Sequence, residues 1–463
     1  MAEVDWLIIG GGVGGLAAAF RLRQRHPAAR IVVCEAADRF GGVTASSVVD
    51  GFQCEHGPDS LVRTKPAGMR LVNDLGLGGE VIGTEPDARA GLIARGRRLV
   101  PVPEGLYLMA PGRILPFLRS PLVSWPGKLR MGLDLVIPPR TRPGREESLA
   151  AFVRRRLGRE ALERIAQPLV GGIYTADPER LSVAATMPLF LEAEREHGSL
   201  IRAMRRRVDA ASASGPRYSL FATLRGGLGA LVDRLVERLD GCELRTGCPV
   251  AGLARDGDGW CAATAAGPIR ARRVVLALPA WAAARLVAPV DRTLADDLAA
   301  VPYAGVATIS LAVPLADLDP LPAAAGFVVP AVEGRTLLAC TFVHRKYAGR
   351  APAGWAHLRA FVGGALHPGD TDCSDDDLKA AVRRDLGDLL GLRTEPRWLA
   401  LHRWSRAMCQ PEVGHRERTA RIRTRAAQIP GLHLVGNGYE GVGIPDLAEQ
   451  AERIAQPGEP SSK

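Results

Sequence analysis

At 463 residues, with 47% hydrophobic and 24% charged side chains, the chain is long enough for two or three domains with large cores, and its balance is that of a globular protein. It has no apolar run of about eighteen residues, which excludes a membrane-spanning helix, and no basic leader with an apolar core and cleavage site, so the expected location is the cytoplasm. The net charge of +10 is spread over short runs such as Arg154-Arg155-Arg156 and Arg205-Arg206-Arg207, which read as solvated helix faces; without a nucleic-acid motif, no nucleic-acid partner is expected.

The apolar run Trp6-Leu7-Ile8-Ile9 reads as a buried strand, and Leu16 to Arg25 has helical spacing. The cluster Gly10-Gly11-Gly12-Val13-Gly14-Gly15 therefore fills a strand-to-helix turn. Gly10, Gly12 and Gly15 fit G-x-G-x-x-G: the first permits the turn, the second lets backbone approach a pyrophosphate, and the third lets helix and strand pack closely. Ile31 to Cys34 is the next strand. It ends at Glu35, where a carboxylate can bond both ribose hydroxyls and disfavours a 2′-phosphate. Asp38-Arg39-Phe40-Gly41-Gly42 adds a second close backbone approach beside an arginine, which favours FAD over NAD.

Further on, Gly57-Pro58-Asp59-Ser60 breaks a strand pattern and opens a loop. A helix is expected from about Pro66 to Leu75. Residues 100 to 145 are rich in proline and short apolar pieces that read as pocket or core rather than as membrane contact. From Glu147 to Arg207 the spacing of Leu149, Phe152, Val153 and Leu157 is helical, with Gly171-Gly172 between helical stretches. Gly226-Gly227-Leu228-Gly229 starts a helix through Leu239, and Cys248-Pro249-Val250 leads to a strand pair turning at Asp256-Gly257-Asp258-Gly259. Ala271 to Pro279 holds another buried strand.

Between about 300 and 403, strands at Thr308 to Val313, Leu337 to Phe342 and His357 to Val362 suggest a second sheet. Leu432 to Gly438 returns to strand and turn, and Gly441-Val442-Gly443-Ile444-Pro445-Asp446 opens a helix. The N-terminus of that helix suits negative charge growing on a reduced flavin ring. The eight cysteines form no C-x-x-C, which reads as buried thiols without disulfide or metal, and argues against a dithiol flavin reductase.

With these motifs in place the chain resembles the porphyrinogen oxidases of heme synthesis, within the monoamine-oxidase-like flavoproteins. The resemblance rests on Gly57-Pro58-Asp59-Ser60, Glu147-Ser148-Leu149, Pro168 through Tyr174, Leu181 through Pro188, Glu196 through Leu200 and Tyr439 through Asp446. It implies an α/β fold with a Rossmann-like FAD domain from residues 1–85, 222–290 and 405–456. A mixed-sheet substrate domain from 86–102 and 291–404 and an inserted helical domain over 103–221 complete it. It implies FAD held by Gly10 through Gly15, Glu35, Ala36, Arg39, Gly42, Gly57 through Ser60, Val250, Gly436, Val442, Gly443 and Ile444. Lys65, Gly172 and Ile173 become candidate substrate contacts, and the Gly171 carbonyl the candidate proton acceptor. His197 reads as a packed histidine rather than a base.

Details resemble the soluble bacterial branch, which oxidises coproporphyrinogen III with O2 and releases hydrogen peroxide. Rival expectations are protoporphyrinogen IX oxidation, an amine or carotenoid oxidoreductase, and a flavin-carrying regulatory module. Peripheral membrane contact and transient contact with other heme-pathway enzymes stay open as partners. One departure is Cys409-Gln410-Pro411, where relatives place Pro-Gln-Tyr.

Overall fold

The computed structural model describes residues 3–88, 90–140, 145–210 and 221–456. Val4–Ile9 lies at the centre of a seven-stranded sheet, parallel to Ile31–Cys34 on one side and Ile269–Leu276 on the other. Glu243–Arg245 and Leu432–Leu434 extend the parallel set outward. Strand segments buried on both faces must be apolar, which is why Trp6 to Ile9, Ile31 to Cys34 and Val274 to Leu276 read as unbroken runs. Trp6, Ile8, Ile31, Val33 and Val275 point to a layer with helices Val13–Arg25, Pro66–Asp74, Gly229–Glu237 and Ile444–Ala455. Alternate residues Leu7, Ile9, Val32, Val274 and Leu276 point to Ala280–Val287, Arg292–Ala299 and His415–Ala427.

The second sheet also has seven strands, ordered Trp398–Cys409, Tyr303–Pro314, Trp355–Gly363, Leu337–Phe342, Gly326–Val328, Leu92–Arg95, Arg98–Pro101. Only the pairing of Gly326–Val328 with Leu92–Arg95 is parallel. Helix Asp375–Leu390 packs Leu378, Val382, Leu386 and Leu389 into the core of this sheet. The sequence reading contains no such helix.

Helices Leu149–Arg156, Gln167–Tyr174, Pro188–His197 and Leu200–Ala210 surround a third core. The close of the helical segment over residues 211–220 lies outside the described residues. Here the run Arg154-Arg155-Arg156 departs from expectation, because successive helical positions point about 100° apart. Arg156 and Asp134 are both 0% exposed and pair at 2.5 Å. Arg155 bridges Glu147 and Glu194, and Arg154 remains at the surface facing Glu179. Arg205 to Arg207 are exposed as expected. The apolar pieces between 100 and 145 divide: Met109, Phe117, Leu122, Val123 and Met131 enter the core, whereas Leu115, Trp125, Leu129, Leu133 and Val136 face outward.

Candidate functional site: a dinucleotide cradle and an adjoining cavity

The first glycine turn has two kinds of glycine. A Cβ on Gly10, at φ +106°, would lie 2.3 Å from the Ala277 carbonyl, and one on Gly15 would lie 1.9 Å from the Gly10 carbonyl. These positions tolerate only glycine because backbone meets backbone. A Cβ on Gly12 would meet nothing within 4 Å. Gly12 also starts helix Val13–Arg25 without a side-chain cap, so the turn opens an anion-sized space at a helix N-terminus. Val13 is buried below it.

Around this space the predicted residues converge. Glu35 accepts from the Gly11 amide at 2.7 Å and the Ala37 amide at 2.8 Å, which fixes its carboxylate beside the turn and leaves lone pairs for hydroxyl donors. Ala36 sits between them. Gly247 and Cys248 donate to the Ala37 and Glu35 carbonyls, laying Val250, the first residue of its strand, alongside. Gly41 donates to the Gly11 carbonyl, and Gly42, at φ +60°, would place a Cβ 3.4 Å from Gly12 Cα. Arg39 donates to the Gly42 carbonyl at 2.8 Å, closing its own loop. From the far end of the chain, Val435 Cγ1 lies 2.8 Å from where a Gly14 Cβ would stand, and Gly436 exchanges two hydrogen bonds with the Gln450 amide.

Gly57-Pro58-Asp59-Ser60 is clamped by residues that sequence reasoning missed. Arg359, 2% exposed, donates to the Gly57 carbonyl. Lys346 Nζ stands 2.8 Å from Asp59 and 3.0 Å from Ser60 Oγ, which also bonds the Tyr347 hydroxyl at 2.7 Å. Burial by itself would raise the Asp59 carboxyl, but the Lys346 and Arg359 charges override it and hold it well below the usual carboxylate range. Just before the segment, the His56 carbonyl accepts from Thr308 Oγ1 and Trp404 Nε1. The His56 ring stacks on His402 at 3.8 Å, and burial together with the His402 and arginine charges lowers it to about 4.

Gly443 caps helix Ile444–Ala455, with Val442 and Ile444 beside it. The Asp446 carboxylate accepts from the Gly443 amide at 3.0 Å and pairs with Lys65 Nζ at 2.5 Å. Lys65 is thus drawn to this helix start, with about half of its side chain exposed. Burial and the Asp446 charge raise Tyr174, the last residue of helix Gln167–Tyr174, to about 12.

A cavity beside this helix end is lined by Gln167, Pro168, Gly171, Thr175, Val329 and Gly363, and none of its described lining residues is charged. Gly171-Gly172 lies in the last turn of helix Gln167–Tyr174 rather than between helices. The Gly171 carbonyl accepts from the Thr175 amide at 2.8 Å, and Thr175 closes the helix at φ +48°, a strained conformation for a β-branched residue. A Gly172 Cβ would sit 3.4 Å from Val328, and Ile173 is 38% exposed. Gln410, 4% exposed, donates to the Tyr174 and Met408 carbonyls at 3.0 and 3.1 Å, while the neighbouring Cys409 is a fully buried core residue. His197 ends helix Pro188–His197 facing Arg206, partly exposed and off the cavity lining. Its expected packed setting is therefore a surface one.

The glycine space, the placed carboxylate, the folded-over second loop and the C-terminal helix start suit one extended dinucleotide. The flavin containing amine oxidoreductase family model matches residues 13–456. The chain is 37% identical over 485 aligned residues to the coproporphyrinogen III oxidase of Propionibacterium freudenreichii subsp. freudenreichii, covering 97% of this chain and 89% of that one. It is 32% identical to the Bacillus subtilis (strain 168) protein of the same name, covering 96% of each. A candidate protoporphyrinogen oxidase from Exiguobacterium sp. 255-15, known from its crystal structure, superposes with a TM-score of 0.88 at 30% identity, covering 98% of each chain. The chain belongs to the flavin-containing amine oxidoreductase family, with FAD as its cofactor.

Proposed function

We propose that this enzyme oxidises coproporphyrinogen III to coproporphyrin III in the cytoplasm, with three O2 consumed and three hydrogen peroxide released per porphyrin. The observation that carries the reading is the end-to-end similarity to the Propionibacterium coproporphyrinogen III oxidase. Bound in the cradle, FAD supplies the hydride acceptor. Gly10 through Gly15, Glu35, Ala36, Arg39, Gly42, Gly57 through Ser60, Val250, Gly436, Val442, Gly443 and Ile444 are the residues assigned to holding it.

The chain's own contribution is positioning and electrostatics. The cavity lining carries no charged side chain among the described residues and so offers no competing general base. The Gly171 carbonyl, with one lone pair used by Thr175, keeps the other to hold a pyrrole N–H as its proton leaves to water. Lys65 neutralises Asp446 at the helix start and keeps further N–H donors for a substrate propionate. Gly172 and Ile173 face the same helix end as substrate contacts. Transient hand-over to other heme-pathway enzymes is part of this reading.

The test is to mix the FAD-loaded protein with coproporphyrinogen III and, in parallel, with protoporphyrinogen IX under air, following porphyrin fluorescence and oxygen uptake. Faster turnover of coproporphyrinogen III, with three O2 per porphyrin, is expected. Preference for protoporphyrinogen IX would move the substrate assignment, and turnover of amines alone would remove it.

A further inference from the structure

Of the eight cysteines, two meet through sulfur. Cys34 Sγ and Cys248 Sγ lie 3.7 Å apart, the one thiol–thiol contact among the described residues, and both thiols are free. Strand pairing brings them together across the chain. Arg245 is the register partner of Cys34 between parallel strands, and neighbouring strands run about 4.8 Å apart, within the span of a disulfide. Beyond Arg245 the chain turns at Gly247, φ +59°, and the Cys248 amide donates to the Glu35 carbonyl at 2.8 Å. The pair thus sits at the strand end that carries Glu35 into the cradle, and the Cys34 carbonyl itself accepts from the Gly10 amide at 2.8 Å. The two thiols differ in access. Cys34 is 1% exposed, whereas Cys248 is half-buried between exposed Gly247 and Pro249. Arg245, paired with Glu243 at 2.6 Å, keeps its guanidinium within electrostatic reach of both sulfurs. Burial and the neighbouring Cys248 push the Cys34 thiol up, against the pull of Arg245.

We infer that Cys34 and Cys248 are a dithiol that reduces a hydroperoxide and closes to a disulfide beside the cofactor cradle. Cys248 is the attacking sulfur, because solvent reaches it. Its thiolate attacks one peroxide oxygen, forming an S–O bond as the O–O bond breaks, and the departing hydroxide takes up a proton and leaves as water. Arg245 offers its charge to that hydroxide. Cys34 then attacks the Cys248 sulfenic acid at sulfur, forming the S–S bond as the S–O bond breaks, and its proton leaves with the hydroxide as a second water. Two electrons pass from the thiols to the peroxide. A buried thiol that holds its proton suits the second step, since it stays unreacted until a sulfenic acid forms beside it. The source of the peroxide rests on the proposed function, in which the enzyme releases hydrogen peroxide itself; the dithiol chemistry does not.

The test uses the full-length, FAD-loaded protein, reduced and then freed of reductant, with added hydrogen peroxide and no porphyrinogen. Because the peroxide is added, failure here overturns the dithiol and leaves the substrate assignment standing. Mass spectrometry of the unreduced digest should show a peptide linking Cys34 to Cys248, with those two thiols lost and both restored by dithiothreitol. Cys242, Cys261 and Cys373, which are partly exposed but have no thiol partner, should keep theirs. Cys34→Ala should abolish the link and leave Cys248 as a sulfenic acid that dimedone captures, while Cys248→Ser should leave Cys34 reduced. Absence of the linked peptide from the wild type overturns the inference. So does oxidation of Cys34 in Cys248→Ser at the wild-type rate, or equal oxidation of Cys242, Cys261 and Cys373 alongside the pair.

Discussion

Gly12 and Gly15 stand three positions apart in one turn and answer to different forces. An added methyl at Gly15 would strike the Gly10 carbonyl, so Gly15→Ala is expected to destabilise the apoprotein by several kcal/mol or prevent folding. Gly12→Ala meets nothing in the protein, and its cost should fall on the ligand. The apoprotein Tm should stay within a degree or so of wild type while FAD affinity, read by flavin fluorescence, drops about ten-fold or more. Lys65 offers a second contrast. Its ammonium offsets Asp446 at a helix start, so Lys65→Met should leave an uncompensated negative charge there and lower the flavin reduction potential by roughly 10–20 mV, the equivalent of about 0.5–0.9 kcal/mol. A purely propionate-binding lysine would raise KM for coproporphyrinogen III and leave the potential of the substrate-free enzyme unchanged.

Helix Gln167–Tyr174 is held at its end by Gln410, which gives both amide hydrogens to carbonyls. Gln410→Leu removes both bonds and leaves the Tyr174 carbonyl with the Thr175 hydroxyl alone, costing about 1–3 kcal/mol, and loosens the turn that aims the Gly171 carbonyl. Steady-state kinetics should show kcat falling about ten-fold with KM little changed, and Gln410→Glu should not rescue it because a carboxylate has no hydrogen to give. Elements of this kind were unevenly legible in the sequence. Trp6 to Ile9, Ile31 to Cys34 and Leu337 to Cys340 are continuous apolar runs, and each lies in a strand. Helix Asp375–Leu390 is legible from its ends rather than from an apolar run: Ser374 caps the Asp377 amide, three aspartates fill the first turn, and Gly391 at φ +65° ends it. Arg359 and Lys346 at the Gly57–Ser60 segment, and Asp134 beneath Arg156, were not legible. Their partners are far away in sequence, and a buried arginine looks like a surface one until its carboxylate or carbonyl is located.

Across the whole molecule, burial sets the acid response. His357, His415 and His433 are each lowered to about 4 by burial, with nearby arginine charges adding to it. In the unfolded chain they bind protons near 6.5. Between about 6.5 and 4 the unfolded state therefore holds more protons than the folded one, so stability falls as pH drops through that window and is flat above it. Each group is expected to contribute on the order of 1–3 kcal/mol. Scanning calorimetry should show Tm declining below about pH 6.5, and His433→Phe, which keeps a ring against Trp6, should flatten part of the slope. The cradle itself is shared between distant parts of the chain: Gly14 is closed over by Val435, and the helix that begins at Gly443 packs on the one that begins at Gly12. A growing polypeptide that has passed the first glycines but not yet the last helix owns only half a binding site. Cofactor capture and completion of the chain are therefore coupled in time, and a release of the nascent protein before Gly443 should yield a colourless, flavin-free product.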